Sequence, residues 1–302
     1  MKSPRRVRQI ASISIIILTI AAFAWYFRKH PQYLTELGKT SPAAVFATLG
    51  VNAVLIAVLT VVYSYTVRLA GGVIAPRENV LLTFYSSIAN FFGPLQSGPG
   101  VRAIYLKQKH IVRLREYTLA TLLYYAFFAI FSAVFLLIGT RPWWQTLCAT
   151  VLTTAMCFFV LRWAKTKATT KNTKEVSRLH FSPHLLVALG FLTFLQLCLV
   201  TVRYYIELKA TGAQVGVGQV VSYTGAANFA LFASITPDGV GIREAFLLFS
   251  QNIHGVQASE IIKANLLDRA CYLLFLALLF LVTLSLHAKQ KLLSTKPFGV
   301  DE

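Results

Sequence analysis

Arg102 and Arg243 stand 141 positions apart in matching surroundings. Gly98-Pro99-Gly100-Val101-Arg102-Ala103-Ile104-Tyr105-Leu106 aligns with Gly239-Val240-Gly241-Ile242-Arg243-Glu244-Ala245-Phe246-Leu247. Each copy follows an apolar stretch carrying Ala-Asn-Phe, at Ala89-Asn90-Phe91 and Ala227-Asn228-Phe229. A residue of capping type precedes the glycines in both, Ser97 before Gly98 and Asp238 before Gly239. The chemistry this pattern suggests is anion binding. Glycine lets the backbone turn tightly and lets a ligand come close to it. A helix that restarts after such a break offers free N–H groups and a positive dipole end. A guanidinium in its first turn can hold a phosphate through two parallel hydrogen bonds. One such element is an ordinary loop feature, whereas two in the same register predict a phosphate-binding centre.

The elements that must position these residues are membrane helices. Of 302 residues, 56% are hydrophobic and only 13% charged, and the mean hydropathy is +0.61. That balance excludes an ordinary soluble domain. Six apolar stretches are long enough to cross a bilayer, which takes roughly 20 helical residues. They lie near 10–27, 43–67, 117–138, 143–161, 184–206 and 264–286. A basic start followed by Ala22-Phe23-Ala24 resembles a signal peptide, but the apolar run is long enough to favour an uncleaved first span. The net charge of +18 does not indicate a nucleic-acid partner, because the basic residues sit in loops and no nucleic-acid motif accompanies them. Cys148, Cys157, Cys198 and Cys271 lie inside apolar stretches without metal or disulfide spacing, and the histidines scatter; no metal and no cofactor is expected.

Loop charge then sets the topology. Arg102, Lys107, Lys109, Arg113 and Arg115 precede one span, and Arg162, Lys165, Lys167, Lys171, Lys174 and Arg178 precede another. Both basic loops, 102–116 and 162–180, belong on the cytoplasmic side with the two termini. They do so only if the segment from 80 to 96 dips into the membrane, breaks at Gly98-Pro99-Gly100 and returns. Three spans later the second segment, 217–236, starts from the opposite side and breaks at Pro237-Asp238-Gly239. The expected fold is therefore all-α and polytopic: about six full spans plus two re-entrant broken helices related as an inverted repeat, in one domain. The repeat motifs cover 79–111 and 217–251. Broken helices in corresponding halves point to a binding site.

Charges within apolar segments are costly and need a reason. Arg203 and Glu207, four apart, could pair near a helix end; Asp268 and Arg269 would lie near the interface at the start of the last span. Glu244 is either a counter-ion, which is preferred, or a protonatable group coupled to a proton gradient. Asn90 and Asn228 bond a headgroup or join helices. The sequence has no GxxxxGK[ST] loop, no Ser/His/Asp or Cys/His arrangement and no HExxH.

Pro237-Asp238-Gly239-Val240-Gly241-Ile242-Arg243-Glu244-Ala245 resembles the P-x-G-[IL]-G-V-[RL]-E-A signature of the lysylphosphatidylglycerol synthase transmembrane-region (flippase-like) family. Gly98–Leu106 resembles that family's G-x-[GE]-x-x-R-x-x-x-L element, and Asp268-Arg269-Ala270-Cys271-Tyr272-Leu273 its [YD]-R-[VA]-x-Y element. Asp238 stands where a small residue is common, and Pro99 stands between the glycines. The resemblance implies a cell (inner) membrane protein that moves polar lipids or lipid-linked glycans between leaflets, here without the aminoacyl-transferase domain of bifunctional members. Arg102, Arg243, Glu244, Asn90, Asn228, Ser97, Gly98, Gly100, Asp238, Gly239, Gly241 and Arg269 are then the expected substrate-binding residues. The expected partners are anionic or phosphate-bearing membrane lipids and a protein of envelope lipid or glycan biosynthesis. The rival expectations are a membrane-embedded transferase, or an accessory to one, acting on a polyprenyl- or glycerol-phosphate lipid, and a non-transporting scaffold.

Overall fold

The structure, a computed structural model, describes residues 28–92, 97–110, 112–138, 182–232 and 241–294, with Ala21, Ala24, Trp25 and Val151. The expected spans 10–27 and 143–161 fall mostly outside these residues. The loop 162–180 and the break at Pro237-Asp238-Gly239 fall wholly outside them. Among the described residues all regular structure is helical.

A short helix α1 (Gln32–Lys39) leads into α2 (Pro42–Leu69). After it come α3 (Pro76–Phe92), α4 (Gly98–His110) and α5 (Leu114–Ile138). The second half holds α6 (Pro183–Ala210), α7 (Val217–Phe232), α8 (Ile242–Phe249), α9 (Gln251–His254) and α10 (Ala258–Ser294). Four of these are long and apolar enough to cross a membrane: α2, α5, α6 and the 258–285 part of α10.

The 141-residue spacing extends well beyond the arginine motif. Pro42 and Pro183 both open 28-residue helices, after Ser41 and Ser182 respectively. Proline suits this first position because its missing N–H has no intrahelical partner there. Both helices close with a glycine of positive φ, Gly71 at 75° and Gly212 at 87°. The next amide then folds back, Gly72 N–H to Val67 O at 2.9 Å and Ala213 N–H to Leu208 O at 3.0 Å. Helix ends of this kind require left-handed backbone, which glycine adopts without a Cβ penalty. The helix that follows each of them begins at an equivalent position too, Pro76 and Val217.

Packing follows the same plan. Helices α2 and α6 lie side by side, with Asn52 early in α2 accepting from Arg203 late in α6 at 3.1 Å. Leu55 packs with Val200, Tyr204 and Leu208, while Val62, Val67 and Leu69 share a core with Leu185, Leu189 and Leu197. That order is the order of antiparallel neighbours. Helices α3 and α4 form an antiparallel hairpin: Asn90 meets Gly98 at the tip, Thr83 meets Arg102 midway, and Glu78 meets His110 at the base. Helices α7 to α9 do likewise, through Phe229–Phe246, Tyr223–His254 and Gln219–Gly255. Helices α5 and α7 approach closely: a Cβ on Gly225 would lie 2.1 Å from Leu136 N and 2.6 Å from Ser132 O, the shortest such distances among the described glycines.

Candidate functional site

A cavity of about 220 Å³ opens between α2 and α6, walled by α3, α5, α7, α8 and α10. Its apolar part comes from Leu55, Ile56, Leu59, Phe128, Val200 and Leu231. Its polar part comes from Asn52, Asn90, Gln196, Asn228, five tyrosines (Tyr63, Tyr124, Tyr125, Tyr204, Tyr272) and the charged Arg203, Arg243 and Asp268. A concave pocket on which polar groups converge is a usual form of small-molecule site.

The charged corner is the most specific part. Arg243 Nη2 lies 2.7 Å from Asp268 Oδ2 and donates to the Tyr204 hydroxyl at 2.5 Å. Arg203 Nη2 approaches Asp268 Oδ1 at 3.3 Å, and its Nη1 donates to Asn52. The Tyr204 ring lies 5.0 Å from the Arg203 guanidinium and 5.3 Å from that of Arg243. One carboxylate therefore holds two guanidiniums at the cavity wall. Each guanidinium meets a different oxygen of Asp268 through a single nitrogen, and the Arg243 contact is the charge-assisted hydrogen bond of the two. The expectation for these charges needs two corrections. Arg203 and Glu207 do pair, at 3.9 Å, but α6 runs on to Ala210, so Arg203 lies inside the helix and bonds across to α2 and α10. Helix α10 begins at Ala258, not near 264, which places Asp268 and Arg269 almost three turns in and buried.

Arg102 has a different setting. It is fully buried, with Nε donating to Tyr117 at 3.2 Å, Nη1 to Thr83 at 3.3 Å and Nη2 to Asn79 at 2.9 Å. Its guanidinium stacks 3.8 Å from the Tyr63 ring centroid. Tyr63 and Tyr204 are themselves 141 positions apart, so each motif arginine faces an equivalent tyrosine two helices earlier in the chain. Arg243 lines the cavity; Arg102 lies behind Tyr63, with three neutral oxygens as acceptors.

The helix restarts also differ from expectation, because their first amides are already engaged. Gly98 N–H points to Asn90 Oδ1 at 3.4 Å, and the Ser97 hydroxyl donates to Ala89 O at 2.6 Å rather than capping α4. Gly241 N–H is taken by Glu244 Oε2 at 2.7 Å, the helix's own acid reaching back as in one half of a capping box. The glycines do separate jobs. A Cβ on Gly98 would lie 2.6 Å from Ser86 O; Gly241 has φ +83°; Gly100 has open space. Glu244 also pairs with Arg269 at 2.5 Å. This pair lines a second, smaller hollow of about 110 Å³ with Tyr33 and Asn265, apart from the large cavity.

The large cavity thus brings together Arg243, Asn90 and Asn228 of the expected residues. Ser97, Gly98 and Arg102 form the hairpin beside it, and Gly241, Glu244 and Arg269 form the smaller cluster. Asp238 and Gly239 lie outside the described residues. Arg203, Asp268, Asn52, Gln196 and the tyrosines were not among the expected site residues. The signal for Arg203 and Asp268 was available, since each is a charge within an apolar run; the neutral groups carried none.

The family model described as lysylphosphatidylglycerol synthase TM region matches residues 9–279. No curated protein matches the chain.

Proposed function

The chain belongs to the lysylphosphatidylglycerol synthase transmembrane-region family, a multi-pass membrane family tied to lipid modification or translocation, and from there we propose that it carries a phosphate-bearing lipid headgroup across the bilayer through the cavity between α2 and α6. The observation that carries this reading is the convergence of Arg203 and Arg243 on one carboxylate at the cavity wall. Two guanidiniums already held around a pair of oxygens form a preorganised fork for a phosphodiester. Asn90, Asn228 and the tyrosine hydroxyls offer hydrogen bonds to the rest of the headgroup, and acyl chains stay in lipid.

The proposed layout is an inverted repeat with re-entrant hairpins α3–α4 and α7–α9, and with the basic loops and both termini in the cytoplasm. It is supported by the antiparallel packing of α2 and α6, which occupy equivalent places in the two halves. Arg102 would lend positive potential through Tyr63 and hold its hairpin rigid. The cell membrane as location and a protein of envelope biosynthesis as partner are part of the same proposal.

The test is mass spectrometry of lipids that co-purify with the wild type and with an Arg203→Ala/Arg243→Ala variant. One phosphate-bearing lipid enriched over bulk membrane, and lost in the variant, is the expected result. Equal retention by both proteins would sink the phosphate fork.

A further inference from the structure

Resting on the headgroup reading above, we propose that the lipid's phosphate bears one uncharged ring polyol, a sugar or an inositol, recognised by the neutral polar wall beyond the arginines. Charge is the first reason. Arg203, Arg243 and Asp268 are the charged residues of the described wall, two cations and one anion. Glu207 stands outside that wall, fully buried, and neither of its oxygens has a hydrogen-bond partner of good geometry, the setting of a protonated acid. The wall thus has an excess of positive charge, and a phosphodiester offsets it with its one negative charge. A headgroup that also carried an ammonium would bring the excess back into a buried site. Asp268, the one acid of the described wall, is already held by both arginines and is not open to such a cation.

The hydrogen-bonding groups left open on the wall are of both kinds. Asn90 accepts from Gly98 N–H through Oδ1, which leaves its Nδ2 to donate. Gln196 accepts from the Tyr124 hydroxyl at 3.0 Å, which leaves its Nε2 to donate. Asn228 donates to Thr224 O at 2.8 Å, which leaves its Oδ1 to accept. Asn52 holds Arg203 with its Oδ1, while its buried Nδ2 has no partner. The Tyr63 hydroxyl makes no hydrogen bond among the described residues and serves in either sense. Phosphate oxygens need donors alone, and an ammonium needs acceptors alone. A hydroxyl donates and accepts at once, so this mixture matches several hydroxyls. A glycerol headgroup has only two, too few to serve these groups. Polar groups of a site left unserved are what make it reject the wrong ligand.

Shape agrees with the chemistry. Tyr124, Tyr125, Phe128 and Tyr272 bring aromatic rings to the same wall. A ring polyol has C–H faces as well as hydroxyl edges, and tyrosine offers an apolar body with a polar tip to meet both. Glycerol, open-chained and flexible, has no such face. The cavity volume of about 220 Å³ lies below the roughly 300–1,000 Å³ usual for drug-sized ligands. That space suits a phosphate and one ring, not an oligosaccharide.

Affinity compared across headgroups, with the lipid tail held constant, provides the test. The full chain in detergent micelles is titrated calorimetrically with dioctanoyl phosphatidylinositol, and with the phosphatidylglycerol and phosphatidylethanolamine of the same tail. Farnesyl phosphoglucose is compared in the same way with farnesyl phosphoglycerol. At least one ring lipid should bind roughly tenfold or more tighter than its tail-matched controls, about the effect of one or two hydrogen bonds. Which of the two shows that preference tells an inositol from a sugar. Gln196→Leu and Asn228→Leu should each narrow the ratio. Binding in which neither ring lipid exceeds its controls overturns the ring polyol and leaves the headgroup site standing. Binding of none of the five lipids overturns the headgroup reading, and the ring polyol with it. The wild-type ratio decides the matter even if a variant fails to fold.

Discussion

Tyr63 presents its ring to Arg102 at 3.8 Å, and three neutral oxygens complete that arginine's surroundings. Hydrogen bonds to a charged group contribute about 1.5–3 kcal/mol each when buried. Arg102→Ala should therefore cost several kcal/mol, about 3 or more, seen as a large fall in the detergent-solubilised melting temperature. Arg102→Lys should recover only part of it, because an ammonium cannot reproduce the planar fork. An unchanged melting temperature in the alanine variant would show that the caged arginine is not structural. At the base of the same hairpin, Glu78 accepts from Tyr105 and meets Lys109 at 2.8 Å and His110 at 3.0 Å. Burial pushes the Glu78 carboxyl up, but these donors outweigh it and hold it at about 2, below its ordinary 4.5. A carboxyl depressed in the folded state stabilises above its unfolded value and loses that contribution as pH falls from 4.5 towards 2. Since Lys109 is largely exposed, Glu78→Gln should cost about 1 kcal/mol or less at neutral pH, shrinking in high salt. A melting-temperature difference between variant and wild type that stays constant from pH 7 to pH 2 would contradict this account.

The α5–α7 contact depends on a single missing methyl. Gly225→Ala would drive a Cβ into the backbone of α5, at Leu136 N and Ser132 O. Overpacking of that kind usually costs about 1–3 kcal/mol, and rigid backbone on the receiving side favours the upper end. Gly98→Ala meets Ser86 O and should also destabilise, whereas Gly100→Ala has open space within α4 and should be neutral or stabilising by up to about 1 kcal/mol. Thermal unfolding of the three variants checks the order, and a Gly225→Ala protein as stable as Gly100→Ala would refute it. Much of this layer was legible in the sequence. The α2, α5 and α6 apolar runs, the glycines of the first motif and the hairpin-like segments all follow from hydropathy and breaker residues. The helix ends were not, because Arg203 and Asp268 interrupt the hydropathy that marks a span. The spans 184–206 and 264–286 placed Arg203 and Asp268 within four residues of a helix end, when the helices run to Ala210 and from Ala258 and the two charges pair across the bundle. The engaged amides at Gly98 and Gly241 were equally hidden, since which side chain folds back onto a helix start is a matter of rotamer and tertiary packing.

For the molecule as a whole, the proposed inversion predicts sidedness. A cysteine at Lys109, at the base of the first hairpin, should react only with reagent supplied from the cytoplasm, and one at Gln257, beyond the second, only from outside. Labelling of both from one side would rule out inverted halves. The sequence disclosed the repeat only around its arginines, because helix interiors with different side chains share no recognisable spelling; the structure extends the same 141-residue spacing to both ends of α2 and α6. Between the ends of α2 and α6 that spacing needs no insertion, so each position of the one helix has a numbered counterpart in the other. Arg203 stands opposite Val62 and Glu207 opposite Thr66. Of Arg203, Glu207 and Arg243, only Arg243 has a charged twin. Helix lengths and ends are shared between α2 and α6, while Glu207 and the second arginine belong to one of them, so a structurally matched pair of helices is chemically lopsided.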